Sequence, residues 1–284
     1  MTMIEEREQA AQDSDRAAAA AGVDIRLLTR LEEFEQVVDL FGGIWTSLND
    51  EPPPVNTETL RALSKAGSYL GGAFDGEELV GACFGFLAPP RRRALHSHIA
   101  GVSERMRGRS VGFALKVHQR AWAIDHDLDE ITWTFDPLIS RNTHFNLVKL
   151  AATATSYHRN FYGQMHDALN GADETDRMLA TWFVHDPRVA AACAGSPSDA
   201  TAPDGEPMLS IGAGDEPLVA EPRGRIVRVT LPHDIERIRR SDPELATRWR
   251  LALRDTLGDL LDGGAQVLAF DRTDTYTIDR GELA

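Results

Sequence analysis

A mixed α/β fold is predicted by the order of strands and helices along the 284 residues. Strands are read from short runs rich in β-branched and aromatic residues, bounded by Gly or Pro. Helices are read from capped segments with apolar residues on one face. The length suits a medium domain followed by a smaller one. A flexible N-terminal tail (1–22), frayed or helical, a main domain (23–185), a linker (186–205) rich in Ala, Pro, Ser, Gly and Asp, and a small α/β C-terminal unit (206–284) docked on the main domain are expected.

The elements follow in order. Val23 to Leu28 predicts a strand, and Thr29 with Glu32 a capping box for a helix carrying Phe34, Val37, Val38 and Phe41 on one face, weakened at its end by Gly42-Gly43. Asp50 to Val55 holds three consecutive prolines and is a loop, after which Thr57 caps a short helix. Tyr69 to Phe74 and Leu79 to Leu87 form a hairpin across Asp75-Gly76. Ala94 to Val102 is the next strand, Ser110 to Ile124 a helix, Glu130 to Phe135 a strand, Ser140 to Leu150 a short helix, and Thr153 to Tyr157 and Met178 to Val184 strands. Arg225 to Leu231, Pro243 to Leu261, Gln266 to Phe270 and Thr275 to Ile278 supply a strand, a helix and two strands to the last unit.

Composition narrows the partners. Asp and Glu number 44 against 30 Lys and Arg, a net charge of -14, which argues against nucleic acid or an anionic membrane as the main partner. Cys83 and Cys193 lack metal-ligand spacing, so no disulfide framework and no metal site are expected, and a cytoplasmic location fits. Neither a signal peptide nor a membrane-spanning run is read from the sequence.

The segment VSERMRGRSVGFALKVHQRAW, from Val102 to Trp122, places a strand end, a loop alternating Arg and Gly, and an apolar-striped helix in succession. That order builds an anion cradle: Gly108 and Gly112 leave room for a ligand, Arg107 and Arg109 bring positive charge, and the first helical amides lack intrahelical partners. In the preceding strand His96 and His98 stand two apart and share one face. They are candidates for proton transfer, or half-buried strand residues satisfied by neighbouring carbonyls.

The loop resembles the signature of the GNAT superfamily of acyl-CoA-dependent N-acyltransferases: Arg or Gln, two residues, Gly, one residue, Gly or Ala. Arg107 and Gly112 match its ends, and Ser110 stands where the pattern has its central glycine. The longer run LHSHIAGVSERMRGRSVGFALKVHQRAW, then ITWTFDPLISRN, Asn146, Lys149, FYG and Asp176-Arg177, is similar to a little-described bacterial branch of that superfamily with a C-terminal extension. The resemblance implies a mixed, mostly antiparallel central sheet flanked by helices, with acetyl-CoA or succinyl-CoA as cosubstrate. The CoA would be held by Val102, Arg107, Gly108, Arg109, Ser110, Val111 and Gly112.

It also implies roles. His98 occupies the position of a general base, which an amine arriving as ammonium requires, with His96 beside it. Relatives carry a proton-donating tyrosine on the helix after the fifth strand; Arg141 to Leu150 has none, so the donor falls to Tyr157 or, preferentially, Tyr162, whose alternative is an aromatic anchor beside Phe161. Asn142 and Asn146 are candidates for the pantetheine arm, Asn142 alternatively for a helix cap. Trp133 and Asp136 are candidates to shape the acceptor pocket, or a core residue and a turn. Arg141 and Arg250 are candidates for a carboxylate or a succinyl tail.

The function expected is direct transfer of an acyl group to the amino group of a small molecule, an amino acid being one candidate, with a homodimer as one arrangement. The alternative is a non-catalytic CoA sensor or partner-docking protein.

Overall fold

A computed structural model describes residues 2–45, 52–163, 174–197 and 202–281. Asp50 and Glu51 of the proline loop, 198–201 of the expected linker and 282–284 of the C-terminal unit lie outside the described residues. The chain divides into two compact units, 1–133 with 182–196, and 134–181 with 197–284.

The first unit opens with α1 (Met3–Ala21), β1 (Asp24–Leu27), α2 (Leu31–Trp45) and α3 (Thr57–Lys65). It continues with β2 (Leu70–Asp75), β3 (Glu78–Leu87), β4 (Ala94–Val102), α4 (Val111–Asp125) and the start of β5 (Glu130–Phe135). The strands lie in the order β1-β2-β3-β4-β5, antiparallel except for the β4 and β5 pair. The fold class expected from the sequence is the one observed.

Alternate residues of β3 serve opposite layers. Ala82 and Phe84 join Phe34, Val37 and Phe41 of α2 and Leu60 of α3 in one apolar core. Gly81 and Cys83 face α4 instead, and a Cβ on Gly81 would stand 3.1 Å from Leu115. Glycine there lets helix and sheet approach closely.

The tail takes its helical alternative, and three local expectations change, the first being that α3 is capped by Asn56, whose side chain accepts from Thr59 N–H, and not by Thr57. The N-terminal tail is a helix: Thr2 and Glu5 form a capping box, and small buried residues, Ala10, Ser14, Ala17 and Ala21, pack α1 on α4. Its alanine face is shallow, so its burial depends on close approach and not on bulky side chains. The cap before α2 uses Glu33, not Glu32: its carboxylate accepts from the amides of Thr29 (2.9 Å) and Arg30 (3.0 Å). Within the expected linker, Asp186 caps α6 (Pro187–Cys193), which buries Val189, Ala192 and Cys193 in the first unit.

The second unit begins with the end of β5, then α5 (Ser140–Thr143), which continues as a π turn over His144–Lys149. β6 (Thr153–His158) pairs antiparallel with the greater part of β7 (Arg177–Phe183). A five-stranded sheet follows, built from β8 (Glu206–Ile211), β9 (Pro217–Val219), β10 (Ile226–Thr230), β11 (Gln266–Phe270) and β12 (Thr275–Asp279) in the order β11-β12-β10-β8-β9. The helices of this unit are α7 (Ile235–Ser241), α8 (Pro243–Leu253) and α9 (Asp259–Asp262), with a π turn joining the last two.

Residues 134–181 cluster with the C-terminal residues because polar contacts tie them together. Tyr276 donates to the Pro137 carbonyl (2.9 Å), and Arg254 pairs with Asp176 and Glu174. The division between units thus runs through β5 and β7, and again between 196 and 197 within the segment 186–205.

Candidate active site

β4 brings the two histidines of the first unit together. Phe84 pairs with Ile99 and Gly85 with Ser97, so His98 is an extra residue at a β-bulge. The close crossing depends on Gly85, where a Cβ would stand 2.5 Å from the His96 carbonyl oxygen. The rings of His96 and His98 are 6.2 Å apart, and each flanks Phe86, at 5.2 Å and 5.6 Å. His96 Nδ1 meets Thr132 Oγ1 at 3.2 Å, whereas the His98 ring is solvent-accessible and edges onto Phe84 at 5.6 Å.

Both imidazoles are biased toward the neutral form. Burial lowers the His96 pKa to about 4, helped by the neighbouring charges of His98, Lys116 and Arg92. Burial also lowers that of His98, so at neutral pH its ring is a base with a lone pair to offer.

β4 and β5 pair only over Ala94–His96 and Glu130–Thr132 among the described residues. Beyond that point β4 stays on β3 through the Gly81 and Val102 pair, and its other edge is released from β5. The histidine pair therefore sits where two parallel strands part.

The loop after Val102 makes a short 3₁₀ turn over Glu104–Met106 before α4. Gly108 takes φ 81° with open space around its Cα, and Ser110 takes φ 61° at the N-cap of α4 without a side-chain capping bond. The left-handed backbone at Ser110 explains why the pattern it resembles has glycine there. The first i to i−4 bond of α4 is Ala114 N–H to the Ser110 carbonyl, so the amides before it face the loop.

The two loop arginines diverge. Arg107 extends into solvent beside Glu104 (3.1 Å). Arg109 lies against Gly22 at the C-terminal end of α1, where a Cβ would stand 2.6 Å from its Nη2. There its charge complements the carbonyl end of a helix. The loop's fit to a diphosphate thus rests on open backbone and on Arg107.

A cavity of about 490 Å³ opens on the histidine face, between the proline loop, α3 and β3–β4. His98 contributes to its lining, with Val55, Leu63, Phe84 and Phe86. Sequence reasoning passed over these apolar residues, because nothing local distinguishes them from core.

Trp133 sits in the core. It is 8% exposed, stacked edge-on against Trp182 at 5.9 Å, and Lys116 Nζ lies 3.7 Å from its ring centroid. Lys116 is itself buried, donating to Ser97 Oγ (3.1 Å) and Gln119 Oε1 (2.7 Å), while Gln119 Nε2 donates to Cys83 Sγ (3.4 Å). Burial lowers the Lys116 pKa to about 8.

The remaining candidates belong to the second unit. Asp136 is buried and grips Arg250 through two bonds (2.9 and 3.0 Å) and Arg239 through one (2.6 Å), while accepting from Leu138 N–H. Burial alone would raise its pKa; Arg250 and Arg239 outweigh that and hold it far below the usual carboxylate range. Asp136 and Arg250 are therefore committed to each other, in place of the pocket and carboxylate roles expected for them. Arg141 is exposed and paired with Glu236.

Asn142 is half-buried near the start of α5, and Asn146 is buried within the π turn. The Tyr157 hydroxyl donates to Asp176 (2.7 Å), and burial with that carboxylate pushes its pKa far up. Tyr162 is exposed, its hydroxyl 3.1 Å from Thr134 Oγ1 and its ring facing Arg177 at 5.5 Å. It is not the core anchor that its neighbour Phe161 suggested; Phe161 is exposed as well.

Comparison with known proteins bears on the N-terminal part of the chain. Residues 5–138 match the family described as acetyltransferase (GNAT) domain. Over those residues, just under half of the chain, the sequence is that of a GNAT-type domain. Among solved structures, an acetyltransferase of GNAT family from Streptococcus pneumoniae aligns at 13% identity and TM-score 0.47, over 57% of this chain and 98% of that one. The ribosomal-protein-S18-alanine N-acetyltransferase from Escherichia coli aligns at 9% identity and TM-score 0.46, over 57% and 94%. An N-acetyltransferase from Staphylococcus aureus Mu50 aligns at 10% identity and TM-score 0.47, over 57% and 98%. No curated protein matches the sequence. The GNAT match takes in α1, consistent with the packing of that helix on α4. No helix among the described residues is long and apolar enough to cross a membrane.

Proposed function

We propose that the protein transfers an acyl group from acyl-CoA, with an acetyl or succinyl chain, to the amino group of a small molecule by direct attack. The observation that carries this reading is His98, a solvent-accessible imidazole with lowered pKa at a β-bulge, on the strand that leads into the α4 cradle. CoA, when bound, supplies an activated thioester carbonyl and a thiolate leaving group. Gly108, Ser110 and the first amides of α4 would hold its diphosphate, with Arg107 adding charge. The released edge of β4 up to Val102 offers main-chain groups to the pantetheine amides.

His98, or a water it orients, takes the proton that the incoming ammonium must lose. The nitrogen lone pair then forms the new amide bond as the carbon–sulfur bond breaks. His96, hydrogen-bonded to Thr132 and held neutral by burial, keeps a second positive charge away from His98.

Free-thiol release across a panel of amines, with acetyl-CoA and with succinyl-CoA, tests the reading. Turnover that His98→Ala abolishes while CoA still binds supports it. CoA binding by calorimetry without turnover of any amine favours the sensor, a reading to which the strained backbone of Ser110 lends some weight. Absence of CoA binding removes both.

A further inference from the structure

Resting on the acyltransferase reading, we infer that the cavity beside His98 receives the apolar group of the acceptor, so that the substrate class is a primary amine carrying an aromatic or branched aliphatic group. The volume of about 490 Å³ lies within the range of small-molecule sites. Its described lining is dominated by carbon: three consecutive prolines, Val55, Leu63, Phe84 and Phe86. None of the described lining residues is Asp, Glu, Lys or Arg.

The polar groups sharpen the assignment. Asn56 Oδ1 already accepts from Thr59 N–H (2.9 Å) as the cap of α3. His98 is the one titratable group in the described lining, so the cavity has a proton-accepting end and an apolar remainder. An amine whose nitrogen lies at His98 must point its other atoms toward the prolines and phenylalanines. A second ammonium, as in a polyamine, or a carboxylate placed there would lose hydration without gaining a counter-charge from the described lining.

The wall is built for such a group. Proline fixes φ at each of the three positions, so little backbone entropy is lost when a ligand packs against them. Phe86 is 39% exposed despite lying between two imidazoles, and an apolar or aromatic substituent would cover it. Phe84, 3% exposed, anchors the floor from the core side.

The experiment compares phenethylamine and isoamylamine with putrescine as acceptors, using acetyl-CoA and succinyl-CoA, on the full-length protein. The expected result is a kcat/KM at least about 100-fold higher for the apolar amines. Leu63→Glu should raise KM for phenethylamine and narrow that ratio, and Phe86→Ala, at a more exposed position, should act in the same direction if the first variant folds poorly. Equal or better turnover of putrescine overturns the cavity assignment and leaves the acyltransferase standing. If no amine is turned over with either donor, the acyltransferase reading falls, and titration of phenethylamine alone decides the cavity: binding weakened by Leu63→Glu supports it, and absence of binding overturns it.

Discussion

The two faces of β4 hold titratable groups of opposite character within a few residues. On one face His98 borders a cavity with its ring reaching solvent, and the ring of His96 lies beside it. On the other, Ser97 joins Cys83, Lys116 and Gln119 in a sealed cluster capped by the Trp133 ring. Burial lowers the pKa on both faces. The difference lies in what the lone pairs and protons are doing: the Lys116 ammonium is spent on two hydrogen bonds and an aromatic face, whereas His98 packs only its ring against Phe84 and Phe86. A perturbed pKa marks a functional group only where the group remains reachable.

The largest effects should separate the faces by readout. His98→Ala is expected to lower kcat/KM by about 10²–10⁴-fold, the usual contribution of a positioned base, with CoA affinity and melting temperature close to those of the parent. Lys116→Ala should do the converse: it leaves Ser97 and Gln119 facing a cavity and costs about 2–4 kcal/mol of stability in denaturant unfolding. Lys116→Met, which fills the space and keeps contact with Trp133, should recover most of that loss. A Lys116→Met protein that is fully stable yet inactive would contradict the division of labour between the faces.

Much of the histidine face was legible in the sequence, and the sealed face was not. β4 and β5 carry β-branched and aromatic residues between clear turns, and the loop residues from Arg107 to Gly112 keep a spacing that local chemistry explains. Trp133 as core depends on Lys116, which comes from a helix, and Asp136 as a structural anion depends on Arg250, 114 residues away. No local pattern encodes either partner. The bulge at His98 is equally silent, since it is set by the register with Phe84 and Gly85. The sequence of α1 reads as a frayed or helical tail because alanine and charge dominate it, although small size is what lets it sit against α4. β8 and β9 were missed because Pro, Gly and acidic residues interrupt their apolar pattern.

Acid should affect the open face in two ways that can be told apart. The His96 pKa falls from 6.5 to about 4 on folding, so the unfolded chain takes up the proton first. The associated stability is complete above pH 6.5 and is lost as pH falls toward 4, on the order of 1–2 kcal/mol once partial solvent screening is allowed for. His98 is lowered in the same direction, which places the acid limb of kcat/KM below pH 6.5. His96→Gln should flatten the stability curve and leave that limb in place. A limb that disappears with His96→Gln would move the base from His98 to His96.

The smallest expected effect concerns the cradle. Ser110 holds φ 61° without a capping bond to offset the strain of a left-handed backbone. Ser110→Gly removes the Cβ responsible and should stabilise the protein by about 0.5–1 kcal/mol, the strain relieved being partly cancelled by greater freedom in the unfolded chain. If the loop grips a diphosphate through main-chain amides, the same change should also leave CoA affinity equal or improved, because the side chain removed makes no bond to the helix start. Weaker CoA binding in Ser110→Gly would mean that the hydroxyl itself contacts the ligand, and the serine would then be a binding group that the family pattern does not contain.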